Sequence, residues 1–527
     1  MQALGIPVSS PAHFRIVVIR DYLAECLRQM NQERLSSGAA WMLVRPFGRK
    51  QWIGPLFVPG TTPCWSCMAH ALERNGWSEG ACVASLATTG AVTQTLAAAE
   101  AAKWLLAGSN PTIQGIICEI DTADLSVTRH IVRRHSACPD CGGPAAVLVS
   151  PEALISPLTG IVTRVELAHS EPAFSLCIAE MSQLLRPDAS GALFYTKRGV
   201  VTGKGRTPAQ ARLRCLGEAV ERYCTQLHGD ESRVSASWRE LGARAVDPQN
   251  LLLFSDTQYR QGHRAPPRFD RNAAADWTPV RSLITGEERL VPTAYCYFGY
   301  GHAACGASSN GCAAGETLED ATFRGLLELI ERDAVAIWWY NRVPRPELFL
   351  PNTPEIVSTL LDALQSRFAA VHLVDVSTDF DMPVCVAIGV QAGGARVLLG
   401  AGCAPDPAVS ARRALEELAA HAVERGTPAG CALEAWMLPA PAAIPRQPGA
   451  ATLEGCLERL RSLSLDALLL DLSKPETGMS AARVIVPGLR PWKPRFAPGR
   501  LYDVPVALGW RLSPLTEAEL NPVSFPL

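Results

Sequence analysis

No stretch of this 527-residue sequence approaches 18 uninterrupted apolar residues, so no segment is expected to span a membrane. The N-terminus, MQALGIPVSSPAHFRIVVIRDYLAECL, lacks the basic start, long apolar run and small-residue cleavage site of a secretory signal, which makes the cytoplasm the expected location. Excess charge is missing too. The 49 Lys and Arg nearly cancel the 51 Asp and Glu, and a formal net charge of −2 argues against general affinity for nucleic acid or an anionic membrane. With 48% hydrophobic and 19% charged residues, the composition has no bias toward disorder. Two nucleotide signatures are also absent. "GVVTGKGR" (199–206) is a glycine-flanked lysine without the G-x-x-x-x-G-K-[ST] spacing, so a P-loop is not the route to ATP. No G-x-G-x-x-G joins a strand to a helix, which leaves nicotinamide and flavin chemistry unsupported.

Cysteine, by contrast, is plentiful. Most of the 17 are scattered singly through apolar runs, as reduced buried thiols are. Four are paired, in P-C-W-S-C (Cys64, Cys67) and C-P-D-C-G-G (Cys138, Cys141). C-x-x-C is the hook that grips one tetrahedral zinc from a tight turn, and two hooks complete a site with no open position. Such a structural zinc would tie the ends of the N-terminal unit together; the alternative is two independent thiol pairs.

The length suggests two or three domains. Residues 1–150 read as an α/β unit, with strands near 14–20, 39–48, 113–121 and 128–134 and an alanine-rich helix over 85–108 stopped by Gly108. Residues 151–527 read as a mixed α/β (α+β) domain. Strand-like runs at 193–202, 290–299, 371–376, 383–391 and 396–402 alternate there with amphipathic helices at 208–228, 317–341 and 407–425. The Arg-, Asp- and Pro-rich segment 230–290 is expected to be a loop-heavy insertion, and "PAPAAIPRQPG" (439–449) a linker.

Two of these helices carry the same cluster, E-x-x-E-R. On the first, Thr207 at N-cap, Pro208 at N1 and Gln210 at N3 set the phase, so Glu218, Glu221 and Arg222 share one face. On the second, Thr317 caps, Asp320 stands at N3, and Glu328, Glu331 and Arg332 repeat the geometry. A single copy is most economically a salt bridge on a solvated face. Two copies amid apolar residues point to a shared pocket, where four carboxylates repel unless cations sit between them. Mg²⁺ suits such oxygen ligands, and Mg²⁺ implies phosphates for the arginines to bind. The third helix adds Arg412, Arg413, Glu416 and Glu417 with less specificity.

"SPLTGIVTRVE", "GKGRTPAQARLRCLGEAVERY", "SNGCAAGETLEDATFRGLLELIERDA" and "RFAPGRLYDVPVALGW", in that order over 151–527, resemble the recurrent blocks of the YcaO family. That family uses ATP to activate peptide backbone amides. The N-terminal 150 residues are similar to the zinc-bearing half of a ThiF-like fold, a combination typical of the cyclodehydratases, or D proteins, that make azolines in ribosomal peptides. The resemblance implies that Glu218, Glu221, Glu328 and Glu331 bind magnesium and nucleotide, with Arg222 and Arg332 at the phosphates and Lys204 and Glu417 as further nucleotide contacts. The implied reaction is attack of a Cys, Ser or Thr side chain on the preceding carbonyl. The oxygen of that carbonyl is then phosphorylated by ATP and lost as phosphate, leaving a thiazoline or oxazoline.

This chain departs from the family pattern in three places. Arg214 replaces a serine four residues before Glu218, where it would alter nucleotide contacts or add a phosphate ligand. The C-terminus "NPVSFPL" keeps Pro522 and Pro526 of a P-x-P-x-P ending that the resemblance places near the active site, which makes Leu527 and its carboxylate a candidate for the catalytic set. Nothing before residue 14 is suited to form the winged-helix leader-recognition element of fused members. That implies a separate ThiF-like or leader-binding partner protein, and the resemblance adds a precursor peptide, a flavin azoline dehydrogenase and a second copy in a homodimer as expected partners. Two other activities compete: thioamide or amidine formation with an external nucleophile, and a catalytically silent scaffold that presents peptide to another enzyme.

Overall fold

Three times the chain passes from a strand through a short turn into a long helix: Leu193–Gly205 into Pro208–Cys224, Cys312–Gly315 into Leu318–Asn341, and Arg396–Cys403 into Pro407–Glu424. The computed structural model describes residues 14–78, 86–142, 150–187, 193–262, 265–424, 430–445 and 447–526. Both anticipated threonine caps form. Thr207 Oγ1 accepts from the Gln210 N–H at 3.3 Å and Thr317 Oγ1 from the Asp320 N–H at 3.1 Å, each satisfying a donor the helix start leaves over. Tight packing of helix on strand demands glycine, as two positions illustrate. A Cβ on Gly203 would stand 2.2 Å from the Cys215 nitrogen, and one on Gly400 would stand 2.3 Å from the Ala414 oxygen.

The three strands belong to three different sheets. Leu193–Gly205 pairs with Phe174–Pro187, and that with Val162–Glu171, as an antiparallel three-stranded sheet. Cys312–Gly315 ends a six-stranded sheet in the order Glu288–Pro292, Ala274–Ser282, Leu468–Asp471, Ser480–Ile485, Cys312–Gly315, with Val234–Ser237 added to Ala274–Ser282. Arg396–Cys403 lies in a second six-stranded sheet, between Cys431–Ala432 and Val384–Val390; Ala370–Asp375, Pro346–Phe349 and Ala440–Pro445 follow in order. Helix Leu318–Asn341 packs against strands of both six-stranded sheets. Leu326, Ala334, Val335, Ile337 and Trp338 are all fully buried, and a helix apolar around most of its girth belongs at such a centre.

A five-stranded sheet precedes these: Arg15–Val18, Trp41–Arg45, Lys50–Phe57, Ile116–Asp121 and Val127–Ile131. Its first pair is parallel, with helix Cys26–Ser37 as the crossover that parallel pairing requires, and the rest are antiparallel. Helix Trp65–Arg74 reaches out of this sheet's core. Arg74 Nη2 donates to the Gly160 oxygen at 2.7 Å, and Asn75 Nδ2 to the Leu158 oxygen at 3.1 Å. The protein is thus a mixed α/β structure. Among the described residues no helix is long and apolar enough to cross a membrane.

Three expectations need correction. Segment 230–290 is no loop-heavy insertion, because Ala274–Ser282 is an inner strand that buries Trp277, Thr278, Val280 and Ser282. "PAPAAIPRQPG" contains the strand Ala440–Pro445, which pairs with Pro346–Phe349; it lies at the sheet edge, where proline's missing N–H costs no ladder bond. The run 290–299 ends as a strand at Pro292 and turns into the short helix Thr293–Cys296, since proline cannot extend the ladder as a donor.

Candidate active site

Each E-x-x-E-R cluster first makes the pair its spacing predicts. Arg222 Nη2 donates to Glu218 Oε1 at 2.6 Å, with Nη1 3.8 Å from Glu221. Arg332 donates to Glu328 Oε1 through Nη2 at 2.9 Å and Nε at 3.3 Å. Both arginines thereby neutralise the first glutamate of their own helix. The clusters also meet each other. Burial pushes the Glu221 carboxyl well above its ordinary value, the charges of Glu218 and Glu328 push it further, and Arg222 and Arg332 only partly oppose them. Burial raises Glu328 against the pull of Arg332, and the Glu218 charge raises it further. Glu331 is pushed up to about 7 by burial, with Arg332 opposing and Glu417 and Glu328 adding.

The third helix closes the site. Burial pushes the Glu417 carboxyl up, but Lys204, His421 and Arg332 outweigh it and hold the group below its ordinary value. Glu417 Oε1 is 3.5 Å from Lys204 Nζ, and Oε2 accepts the Ala401 N–H at 2.8 Å. Arg413 donates to the Cys403 oxygen at 2.7 Å and its charge acts on Glu331. The carboxylates remain reachable, since the side chains of Glu218, Glu221, Glu328 and Glu417 keep 32%, 12%, 23% and 20% of their exposure. Burial and mutual repulsion raise Glu221, Glu328 and Glu331, and a cation between these acids would relieve that repulsion.

Lys204, Glu218, Glu221, Arg222, Glu328, Glu331, Arg332 and Glu417 are therefore brought together. Arg214 lies beside this set and is engaged with other partners. Its Nη1 donates to the Lys204 carbonyl at 2.9 Å and to Glu416 Oε2 at 3.0 Å, while Arg412 holds the other Glu416 oxygen at 2.7 Å. Leu527 lies outside the described residues, but the tail leading to it is fixed: Trp339 Nε1 donates to the Val523 oxygen at 2.7 Å, and Phe525 is buried. Sequence reasoning passed over Trp492. Its ring lies beneath Arg332 with 3.1 Å between the guanidinium carbon and the ring centroid, and no spacing pattern in "LRPWKPRF" marks it.

Do these residues fit Mg²⁺? Among the described residues only the four paired cysteines bring all their ligand atoms within 4.8 Å of one another; the glutamates do not close into a comparable cage. An open set is what Mg²⁺ in a nucleotide site uses, because the ion takes one or two carboxylates and completes its shell with phosphate and water. The cysteines are the opposite case. Sγ–Sγ distances are 3.6 Å for Cys64–Cys138, 3.5 Å for Cys67–Cys141 and 4.0 Å for Cys64–Cys67. Tetrahedral bonds of about 2.3 Å require sulfur–sulfur edges of about 3.8 Å. The His135 N–H donates to Cys67 Sγ at 3.3 Å, as a donor supporting a thiolate does. These four cysteines form a group able to hold a metal ion.

The model of the family described as YcaO cyclodehydratase, ATP- and Mg²⁺-binding, matches residues 202–490, a span holding all three acidic helices. The chain belongs to the YcaO family. Along its whole length this YcaO chain overlays on a heterocyclase solved in complex with substrate and cofactor, with a TM-score of 0.87 and 31% identity over 82% of that chain. It also overlays whole on the heterocyclase TruD, with a TM-score of 0.80 and 32% identity over 81% of that structure. An uncharacterized protein of Methanothermobacter thermautotrophicus is 28% identical over 276 residues, half of this chain, and the chain covers 65% of that relative's length.

Proposed function

We propose that this YcaO protein is an ATP-dependent peptide cyclodehydratase that converts Cys, Ser or Thr of a ribosomally made precursor to thiazoline or oxazoline. The observation that carries the reading is the convergence of the two E-x-x-E-R helices with Lys204 and Glu417. A site for a single small substrate needs no such density of paired carboxylates and guanidinium groups, whereas a triphosphate with Mg²⁺ uses both. Family membership and the two whole-chain heterocyclase overlays support it.

In this reading Glu218, Glu221, Glu328 and Glu331 hold Mg²⁺, and Arg222, Arg332 and Lys204 bind phosphate oxygens, with Glu417 orienting Lys204. Bound Mg²⁺ screens the charge that develops on the transferred phosphoryl group. Glu331, half-ionised near neutrality without the metal, would give up its proton as Mg²⁺ binds, and the proton of the attacking thiol or hydroxyl passes to solvent. Ring closure forms the S–C or O–C bond. ATP then phosphorylates the former amide oxygen, and C–O cleavage releases phosphate as the amide N–H proton is lost. Transfer of the phosphoryl group to that oxygen thus drives a dehydration in water.

The division is a scaffold over 1–150, with structural zinc at Cys64, Cys67, Cys138 and Cys141, and a catalytic part over 151–527. The protein acts in the cytoplasm with a leader-binding partner, as a homodimer, and a flavin dehydrogenase oxidises the rings afterwards. Leu527 belongs to the catalytic set. The deciding experiment combines purified protein, ATP, Mg²⁺, precursor and partner, read by mass spectrometry. A loss of about 18 Da per modified residue supports the reading. A gain of about 16 Da would indicate a thioamide, and an unchanged peptide with every component present would leave a silent scaffold.

A further inference from the structure

Arg332 is constrained in two directions at once. Glu328 holds its Nε/Nη2 edge in the guanidinium plane, while the Trp492 ring covers one face. Among the described residues no hydrogen bond occupies the remaining nitrogen, Nη1. An indole beneath a guanidinium attracts the cation and leaves its edges available, so a stacked arginine binds an oxyanion without first being immobilised.

Trp492 is itself held by the helix that carries Arg332. Asp333, the next residue and fully buried, grips both ends of the loop from 490 to 500. Its Oδ1 accepts the Arg490 N–H at 2.9 Å, and its Oδ2 pairs with Arg500 Nη2 at 2.7 Å. Asp379 takes Arg500 from the other side through two bonds of 2.7 and 2.9 Å, which makes the clasp bidentate. Within the loop the Tyr340 hydroxyl donates to the Trp492 carbonyl. Behind the ring stands Phe525 of the C-terminal tail, 5.2 Å from Trp492 between centroids, and Phe525 packs in turn on Trp339. A loop secured at both ends by one buried carboxylate of the catalytic helix moves with that helix, so the indole keeps its register under Arg332.

We infer that Trp492 is a positioning residue for Arg332: the clasped loop holds the indole against the guanidinium so that Nη1 meets the nucleotide's phosphates already oriented. This rests on the reading of Arg332 as a phosphate ligand. Asp333 and Arg500 act through the loop, and Phe525 backs the ring.

The test is a double-mutant cycle on the full-length protein with its precursor and partner, with KM for ATP and kcat measured for R332A, W492L, W492F and the pair R332A/W492L, and cluster metal content checked in each. Trp492→Leu is expected to lower kcat/KM for ATP by about 3- to 30-fold, the range of a desolvated cation–π contact. Trp492→Phe keeps a ring and recovers most of that loss. In the Arg332→Ala background, Trp492→Leu adds less than about twofold, because nothing is left to orient. Independent, multiplicative losses, or a Trp492→Phe as damaged as Trp492→Leu, would assign Trp492 to packing alone and overturn the inference. An inactive R332A beside an unaffected W492L overturns the inference and spares the phosphate reading, whereas an unaffected R332A ends both.

Discussion

Glu331 makes the acid cluster measurable. In the metal-free protein its carboxyl is pushed up to about 7 from an ordinary value of 4.5. Between those values the folded protein binds a proton that the unfolded chain does not. This group's stabilisation is thus complete below about pH 4.5 and is lost as pH rises through about 7. Mg²⁺ needs the ionised form, so its binding should strengthen from pH 6 to 8 and release protons. Calorimetry in two buffers of different ionisation heat measures the release, and a buffer-independent heat at pH 7 would remove Glu331 from the metal site. Arg214 predicts the contrary outcome. With 44% of its side chain exposed and Glu416 still held by Arg412, Arg214→Ala should cost no more than about 1 kcal/mol and change KM for ATP less than about threefold. A rise of tenfold or more in steady-state KM would return Arg214 to the phosphate ligands.

At the scale of elements, the four cysteines and the helices respond differently to change. Cys138→Ser should leave one metal ion fewer per chain by elemental analysis and lower the melting temperature by several degrees, because the cluster joins the start of helix Trp65–Arg74 to a turn 74 residues further on. Freshly purified wild-type protein without zinc would remove the zinc assignment. The helices were readable in advance, since Thr207, Pro208 and Thr317 encode their own starts through local bonds. Their ends were less so: the first stops at Cys224 rather than 228, where the Thr225 Oγ1 turns back to the Glu221 carbonyl at 2.7 Å. Strand Ala440–Pro445 was missed because a partner distant in sequence makes it a strand against the local message of its prolines, whereas Ala274–Ser282 was missed although its hairpin partner Glu288–Pro292 is near in sequence, because Asp, Arg and Pro in and around it mask the pattern. The acid cluster was legible through repetition of a motif. Trp492 was not, because a stack formed across 160 residues leaves no periodic trace.

At the scale of the whole molecule, the cysteine cluster and the first acidic helix share a support. Tyr223 follows Arg222 directly and turns to the back of the first acidic helix, where its hydroxyl donates to Glu476 Oε1 at 3.0 Å. Ser136, two residues before Cys138, donates to that same oxygen at 3.4 Å. Arg74, at the end of the helix that Cys64 and Cys67 begin, stacks 5.4 Å over the Tyr223 ring while holding the Gly160 carbonyl. Glu476 is 4% exposed, so losing a donor leaves a buried carboxylate under-satisfied. Tyr223→Phe keeps the ring and removes only the hydroxyl, and should cost about 1–3 kcal/mol in denaturant unfolding. Loosening the back of the helix displaces Glu218 and Glu221 at its front, so KM for ATP should rise with the precursor peptide still bound. Displacing the cluster metal with a thiol reagent, in saturating Mg²⁺, should weaken nucleotide binding in the same direction. If nucleotide affinity holds while the metal leaves, the first 150 residues steady the catalytic helices in no way that matters to ATP, and the contacts at Glu476 serve cohesion alone.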